Sequence, residues 1–286
     1  MKPAAFEYVQ PRSLEETVSA LHRFGDDAKV LAGGQSLVPM MNFRLARPSA
    51  LVDIAHVPGL DGIAIGSSDV AVGALVTHRR LELGGEVPGP LGSLLSAAGR
   101  CVGHLPIRTR GTFGGSIAHA DPAAEWCVLA TLMDADVLIA SADGARSVPA
   151  ESFFVTVFTT AIEPTDVVTG VRLPLLGPDD RIGFQEFSRR AGDFAIVMAM
   201  VALQLRDDVV AGARIALGGV ADRAVRATAA ETALLGAVPD RAAFEEAGAL
   251  AARDVEPYED LHGPPEYRRD LVRVMVRRAL EQAVAA

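Results

Sequence analysis

The chain is 286 residues long, half of them hydrophobic, with 27 basic against 36 acidic side chains. That length allows one to three compact units with a buried core, and the acidic balance argues against nucleic-acid binding, which needs a basic footprint. The longest apolar stretches, such as Ala195 to Leu205, fall short of the roughly 20 residues needed to cross a bilayer, and Met1 to Glu7 lacks the features of a secretory signal; no membrane span is expected, and a cytoplasmic location is.

In chain order, Ser13 with Glu16 three residues on is a capping box opening a helix through about Phe24, with Leu14, Val18 and Leu21 on one face. Val30-Leu31-Ala32 reads as a short buried strand ending at Gly33-Gly34, Leu37 to Phe43 resumes a helical pattern, and Leu51 to Ile54 is the next strand. From Gly62 the texture changes to short strands: Ile63 to Ile65 and Val70 to Val72 flank Gly66-Ser67-Ser68-Asp69 as a hairpin. Thr77 caps a helix, Leu91 to Ala98 forms another, and Pro122 starts a third at its favoured first-turn position, running to about Asp134. Asp136 to Ala140 and Arg146 to Val148 flank Ala142-Asp143-Gly144 as a second hairpin, and a later strand ends at Leu173. Leu173-Pro174 followed by Gly177-Pro178-Asp179-Asp180 marks a domain boundary. Beyond it, Ile182 to Ser188, Ala195 to Leu205 and Ala213 to Leu217 read as three strands, followed by helices at Thr228 to Leu235, Arg241 to Ala251 and Glu266 to Ala283. The expectation is an α+β protein: residues 1–176, with subdomains of about 1–57 and 58–176, then residues 177–286 with a three-stranded antiparallel sheet and helices.

Two glycine segments carry chemistry. In Ala32-Gly33-Gly34-Gln35-Ser36-Leu37 two glycines between strand and helix let backbone amides approach a ligand, and the helix start favours an anion such as a pyrophosphate. The segment lacks the G-x-G-x-x-G of a nicotinamide-binding fold. In Thr112-Phe113-Gly114-Gly115-Ser116, glycines and hydroxyls ahead of Pro122 form a second expected anion nest, with Asp121 as the helix cap and Glu125 one turn on. His119 in isolation reads as a structural histidine. Cys101 and Cys127 lack any C-x-x-C spacing, so no zinc or cluster ligand set is assigned, and two buried thiols are expected. The Arg-Arg pairs at 79/80, 189/190, 268/269 and 277/278 read as solvated faces or ion pairs, with an internal pair slightly favoured for Arg189 and Arg190. No Ser/His/Asp or Cys/His arrangement is present, so no catalytic side chain is assigned.

Both loops, roughly 80 residues apart and in this order, resemble the FAD-binding medium subunit of the xanthine dehydrogenase and carbon monoxide dehydrogenase family, the molybdenum hydroxylases. The matching segments are AGGQSLVPMMNFRLARP from Ala32, IRTRGTFGGSIAHADPAAEW from Ile107 and SRRAGDFAIV from Ser188, and the resemblance covers essentially the whole chain.

The resemblance implies a two-part FAD-binding domain followed by a CO-dehydrogenase-flavoprotein-like domain. It implies non-covalent FAD here, with the molybdenum cofactor and [2Fe-2S] clusters in a large and a small partner subunit, arranged as a dimer of heterotrimers. By the same resemblance Val30, Leu31, Ala32, Gly33, Gly34, Gln35, Ser36 and Leu37 wrap the pyrophosphate, and Thr112, Phe113, Gly114, Gly115 and Ser116 lie under the flavin and phosphates. His119 accompanies that loop, Asp121 and Glu125 match the acid at the adenosine end, and Val102 and Val168 match apolar contacts. A lysine of some relatives falls at Gln185, and Phe194 matches an aromatic that covers the flavin ring. Relatives often carry Asn at the positions of Thr109 and Ser116. Electrons would pass from the clusters through the flavin to a terminal acceptor. A stand-alone FAD-dependent oxidoreductase and a cofactor-free scaffold of the same fold are the alternatives.

Overall fold

A computed structural model of the chain describes residues 2–285. The first part contains β1 (Glu7–Val9), α1 (Leu14–Phe24), β2 (Ala28–Leu31), α2 (Leu37–Asn42) and β3 (Ala50–Asp53), with the strands parallel in the order β1-β3-β2. Parallel pairing needs a crossover between neighbours; α1 and α2 supply it. Ser13 Oγ accepts from the Glu16 amide at 3.0 Å, and the Glu16 carboxylate accepts from the Arg12 amide at 2.7 Å, so the capping box forms with the return bond one residue early. Val18 and Leu21 of α1 pack on Ala28, Ala50 and Val52. β1, only three residues long, carries no alternation by which the sequence announces it.

The second part contains β4 (Ile63–Ile65), β5 (Asp69–Gly73), α3 (His78–Leu83), α4 (Gly89–Cys101), α5 (Leu105–Arg108), α6 (Phe113–His119) and α7 (Glu125–Leu132). It continues through β6 (Asp136–Ser141), β7 (Gly144–Pro149), α8 (Ala150–Phe153), β8 (Phe154–Thr156), β9 (Thr159–Thr160) and β10 (Val167–Pro174). Its main sheet is antiparallel, ordered β4-β5-β10-β6-β7, so β10 returns to sit between the two expected hairpins. Pro122 does not start a helix. Thr112 caps α6, so the second glycine run is helical, and α7 begins only at Glu125, with Ala124 at its N-cap. Asp121 is therefore not a helix cap: its Oδ1 accepts from the Ala123 amide at 2.8 Å and closes the turn between α6 and α7. Trp126 to Leu132 are buried all round.

The third part contains β11 (Arg181–Phe187), β12 (Val197–Arg206), β13 (Val209–Gly218), β14 (Val225–Arg226), α9 (Thr228–Leu234), α10 (Arg241–Arg253) and α11 (Pro265–Ala285). The antiparallel sheet has four strands rather than three. The additional strand, β14, has two residues, pairing with Ala216 and Leu217, too few for an alternation to register in the sequence. Asp207 and Asp208 take φ of 52° and 60° and form the turn into β13, as a two-residue hairpin requires. β12 is apolar on both faces because both are buried. Val197, Ala199, Val201 and Leu203 meet the α9–α11 layer, while Met198, Met200 and Ala202 join the core that holds α4 and α7.

α11 packs inward through Val272, Met275, Val276, Ala279 and Leu280. Arg268 is buried at 1% exposure, donating to Ile196 O at 2.6 Å, Gly219 O at 2.7 Å and Asp260 Oδ2 at 2.6 Å. The expectation of solvated faces or ion pairs holds at Arg79 with Glu82, Arg80 with Glu86 and Arg277 with Glu281. Arg268 also makes an ion pair, with Asp260, but from the interior rather than from a solvated face.

Candidate functional site

β2 ends at Leu31, and the chain turns through Gly33 and Gly34, the latter at φ +70°. Gln35 Nε2 donates to Gly33 O at 2.9 Å and braces the turn. Ser36, the N-cap of α2, makes no side-chain capping bond. Among the described residues the amides of Gln35, Ser36 and Leu37 have no protein acceptor; the first helical bond runs from the Val38 amide to Gly34 O at 3.1 Å. Val30 through Leu37 are all half-buried. A Cβ at Gly33 would overlap the Arg110 carbonyl oxygen and lie 2.7 Å from Gly111 Cα. The two glycine segments therefore touch backbone to backbone.

The second segment is built differently from the expected nest. The Phe113 amide donates to Val76 O at 2.8 Å, the Gly114 amide to Ala74 O at 3.0 Å, and the Gly115 amide to Thr112 Oγ1 at 3.2 Å. These three donors are committed to the β5–α3 connection and to the cap, so they are not an open anion nest. Gly114 is needed for packing, since a Cβ there would lie 2.5 Å from Ala74 Cα. What the segment leaves free is the Ser116 hydroxyl, which makes no hydrogen bond among the described residues.

His78 supports this arrangement from below. It is 5% exposed, accepts at Nδ1 from Trp126 Nε1 at 2.8 Å, and burial pushes its pKa down to about 4, aided by the Arg108 charge. A Cβ on Gly111 would sit 2.6 Å from His78 Nε2. Sequence reasoning gave no role to His78, because only the fold brings it under Gly111.

The remaining predicted residues divide into those that join this region and those that do not. Val102 caps the end of α4, half-buried. The β11–β12 connection rests beside it: Gly192 stands against His104, and its Cβ would be 3.1 Å from Gly103 O. That connection carries Phe194, 69% exposed. Arg189 and Arg190 are exposed and make no ion pair among the described residues, so the expected internal pair is absent. His119 stacks on Phe158 with ring centres 4.8 Å apart, and burial lowers its pKa against the pull of Asp121. Val168 is inside the main core at 7% exposure.

Gln185 points away. Its Nε2 donates to Gln282 Oε1 of α11 at 2.8 Å. The next residue, Glu186, faces the opposite side of β11, as strand alternation requires, and there meets Cys101 and Glu125. Burial, then the Glu186 charge, holds the Glu125 carboxyl well above the usual carboxylate range. Burial likewise raises Glu186 and pushes the Cys101 thiol up to about 12. Among the described residues Glu186 Oε2 is buried without a hydrogen-bond partner. Such an atom costs free energy unless a ligand or a proton satisfies it. Glu186 is a buried carboxyl group beside this region that the sequence did not reveal; Arg110, exposed and without an ion pair among the described residues where the two segments meet, is a second candidate.

Residues 4–176 match the family model described as the FAD binding domain in molybdopterin dehydrogenase, and residues 182–283 match the CO dehydrogenase flavoprotein C-terminal domain. The chain is 39% identical to the 6-hydroxypseudooxynicotine dehydrogenase complex subunit alpha of Paenarthrobacter nicotinovorans, over 99% of this chain and 96% of that protein. It is 35% identical to the carbon monoxide dehydrogenase medium chain of Hydrogenophaga pseudoflava, over 100% and 99%. Its fold is similar to quinoline 2-oxidoreductase from Pseudomonas putida 86, with a TM-score of 0.93 at 38% identity, covering 100% of this chain and 99% of that one. Two joined glycine segments on this scaffold, matched along nearly the whole length, mean that the chain belongs to the FAD-binding medium-subunit family of the molybdenum hydroxylases.

Proposed function

We propose that this chain holds FAD without a covalent link and serves as the electron-relay subunit of a heteromeric molybdenum hydroxylase. On this reading a small partner carries [2Fe-2S] clusters, a large partner carries the molybdenum cofactor and selects the substrate, and the whole is a cytoplasmic dimer of heterotrimers.

The observation that carries the reading is the run of free amides at Gln35, Ser36 and Leu37, held against the second glycine segment by the contact at Gly33. A pyrophosphate fits that donor set, because free N–H groups at a helix start favour negative charge. FAD, when bound, supplies the redox chemistry, accepting electrons from an iron–sulfur partner and passing them to a terminal acceptor.

The chain's own residues bind and orient. The first-turn amides and the Ser36 hydroxyl hold phosphate oxygens. Phe113 to Gly115 form a stiff floor, their amides already anchored, and Ser116 adds a hydroxyl from it. Val102 and Phe194 flank the ring end and exclude water. Burial raises the carboxyl pKa values of Glu125 and Glu186, which lie beside each other and Cys101. Asp121 stands at the adenosine end, and His119 accompanies the second loop.

The test is the visible spectrum of the chain purified after co-expression with its partner genes, together with metal analysis. Flavin bands accompanied by iron and molybdenum in the attached chains are expected. A colourless chain that refuses added FAD would sink the reading and leave a cofactor-free protein of the same fold.

A further inference from the structure

The end of α2 carries a conformational cost that the apolar residue following it does not offset. α2 ends in a Schellman arrangement: the Arg44 amide donates to Met41 O at 3.0 Å and the Leu45 amide to Met40 O at 2.9 Å. This places Arg44 in the left-handed region, at φ 61°. Glycine is the usual residue there, and a side chain at that φ costs about 1 kcal/mol. The motif ordinarily recovers stability when the apolar residue after the turn packs back on the helix. Leu45 does not pack back: it is 76% exposed, beside Phe43 at 68% and Val38 at 42%. Arg44 and Arg47 flank these side chains, and neither guanidinium pairs with a carboxylate among the described residues, although the chain as a whole carries net charge −9.

We propose that this face is the docking surface for the iron–sulfur partner, through an apolar socket rimmed by carboxylates. The inference rests on the electron-relay reading above. Charge argues for the occupant: two free arginines on an acidic chain select an acidic rim and disfavour a second copy of this chain, whose matching face would present the same arginines. Position argues for it as well. α2 leaves the glycine turn directly, and its six residues span about 9 Å, so a chain seated on Phe43 and Leu45 lies next to the cofactor. Aromatic and arginine side chains on one exposed patch are the composition of an interface centre.

The experiment uses the co-expressed complex, captured through a tag on this chain, with flavin, iron and molybdenum measured per chain. The double variant Phe43→Glu with Leu45→Glu is expected to keep wild-type flavin and thermal stability while bound iron falls at least tenfold. Arg47→Glu is expected to lower the salt concentration at which iron is lost. Leu261→Glu, at a side chain 98% exposed elsewhere, leaves iron unchanged. Wild-type iron in the double variant overturns the surface, as does a change confined to self-association. A wild-type chain with flavin but no iron overturns the heteromeric reading itself, and the surface falls with it.

Discussion

At the scale of single residues, the glycines do something other than their motif suggests. Read as sequence, Gly33→Val or Gly114→Val is expected to expel FAD from a chain that stays folded. In the structure a side chain at 33 strikes Arg110, and one at 114 strikes Ala74 Cα at 2.5 Å. Both substitutions overpack the interior and cost about 1–3 kcal/mol of stability, so lost flavin in either would not locate a phosphate. Ser36 is the cleaner probe, because its hydroxyl makes no capping bond. Ser36→Ala is expected to leave thermal stability unchanged and to weaken FAD binding roughly fivefold to tenfold, about 1 kcal/mol. Fluorescence titration reads the affinity, and equal affinity in the two proteins removes Ser36 from the site.

At the scale of elements, the end of α4, the start of α7 and one face of β11 meet at Cys101, Glu125 and Glu186. Raised carboxyl pKa values have a definite consequence for stability. Above the ordinary carboxylate pKa the unfolded chain releases protons that the folded chain retains, so the folded state binds more protons and stability falls as pH rises. The fall belongs between about pH 5 and about pH 8 and ends where the folded groups ionise. Asp121 reinforces it and Arg108 opposes it at Cys101. Glu186→Gln removes one titrating partner and the repulsion it exerts on Glu125. Denaturant unfolding of the flavin-free chain at several pH values is expected to give a shallower decline in the variant. Identical slopes would mean that the pair does not titrate in this window.

At the scale of the whole molecule, the family descriptions divide the chain between residues 176 and 182, yet the packing does not divide there. Phe184, Met198, Met200 and Ala216 belong to one core with Leu91, Leu95, Trp126 and Leu129. The C-terminal sheet is thus a wall of the cofactor-bearing part as well as the floor for α9–α11. A piece ending at Leu176 uncovers that core and is expected to aggregate or remain expanded, whereas the full chain is compact. Size-exclusion chromatography of the two distinguishes the cases. A compact, soluble piece would show that the shared core is dispensable.

The sequence by itself determined what local chemistry determines. Ser13 and Thr77 as caps, the alternating hairpins and the three C-terminal helices are legible because each depends on contacts within a few residues. The glycine segments are legible as landmarks and carry the family resemblance. Only the tertiary structure decided which amides stay free, because the amides of Phe113 and Gly114 are taken by Val76 and Ala74 on a distant stretch of chain. It also decided that Glu186 and not Gln185 meets Cys101 and Glu125, since a strand shows alternate faces and a one-residue step reverses them. A strand's pattern marks its two faces; what each face meets is set by elements brought together from far along the chain.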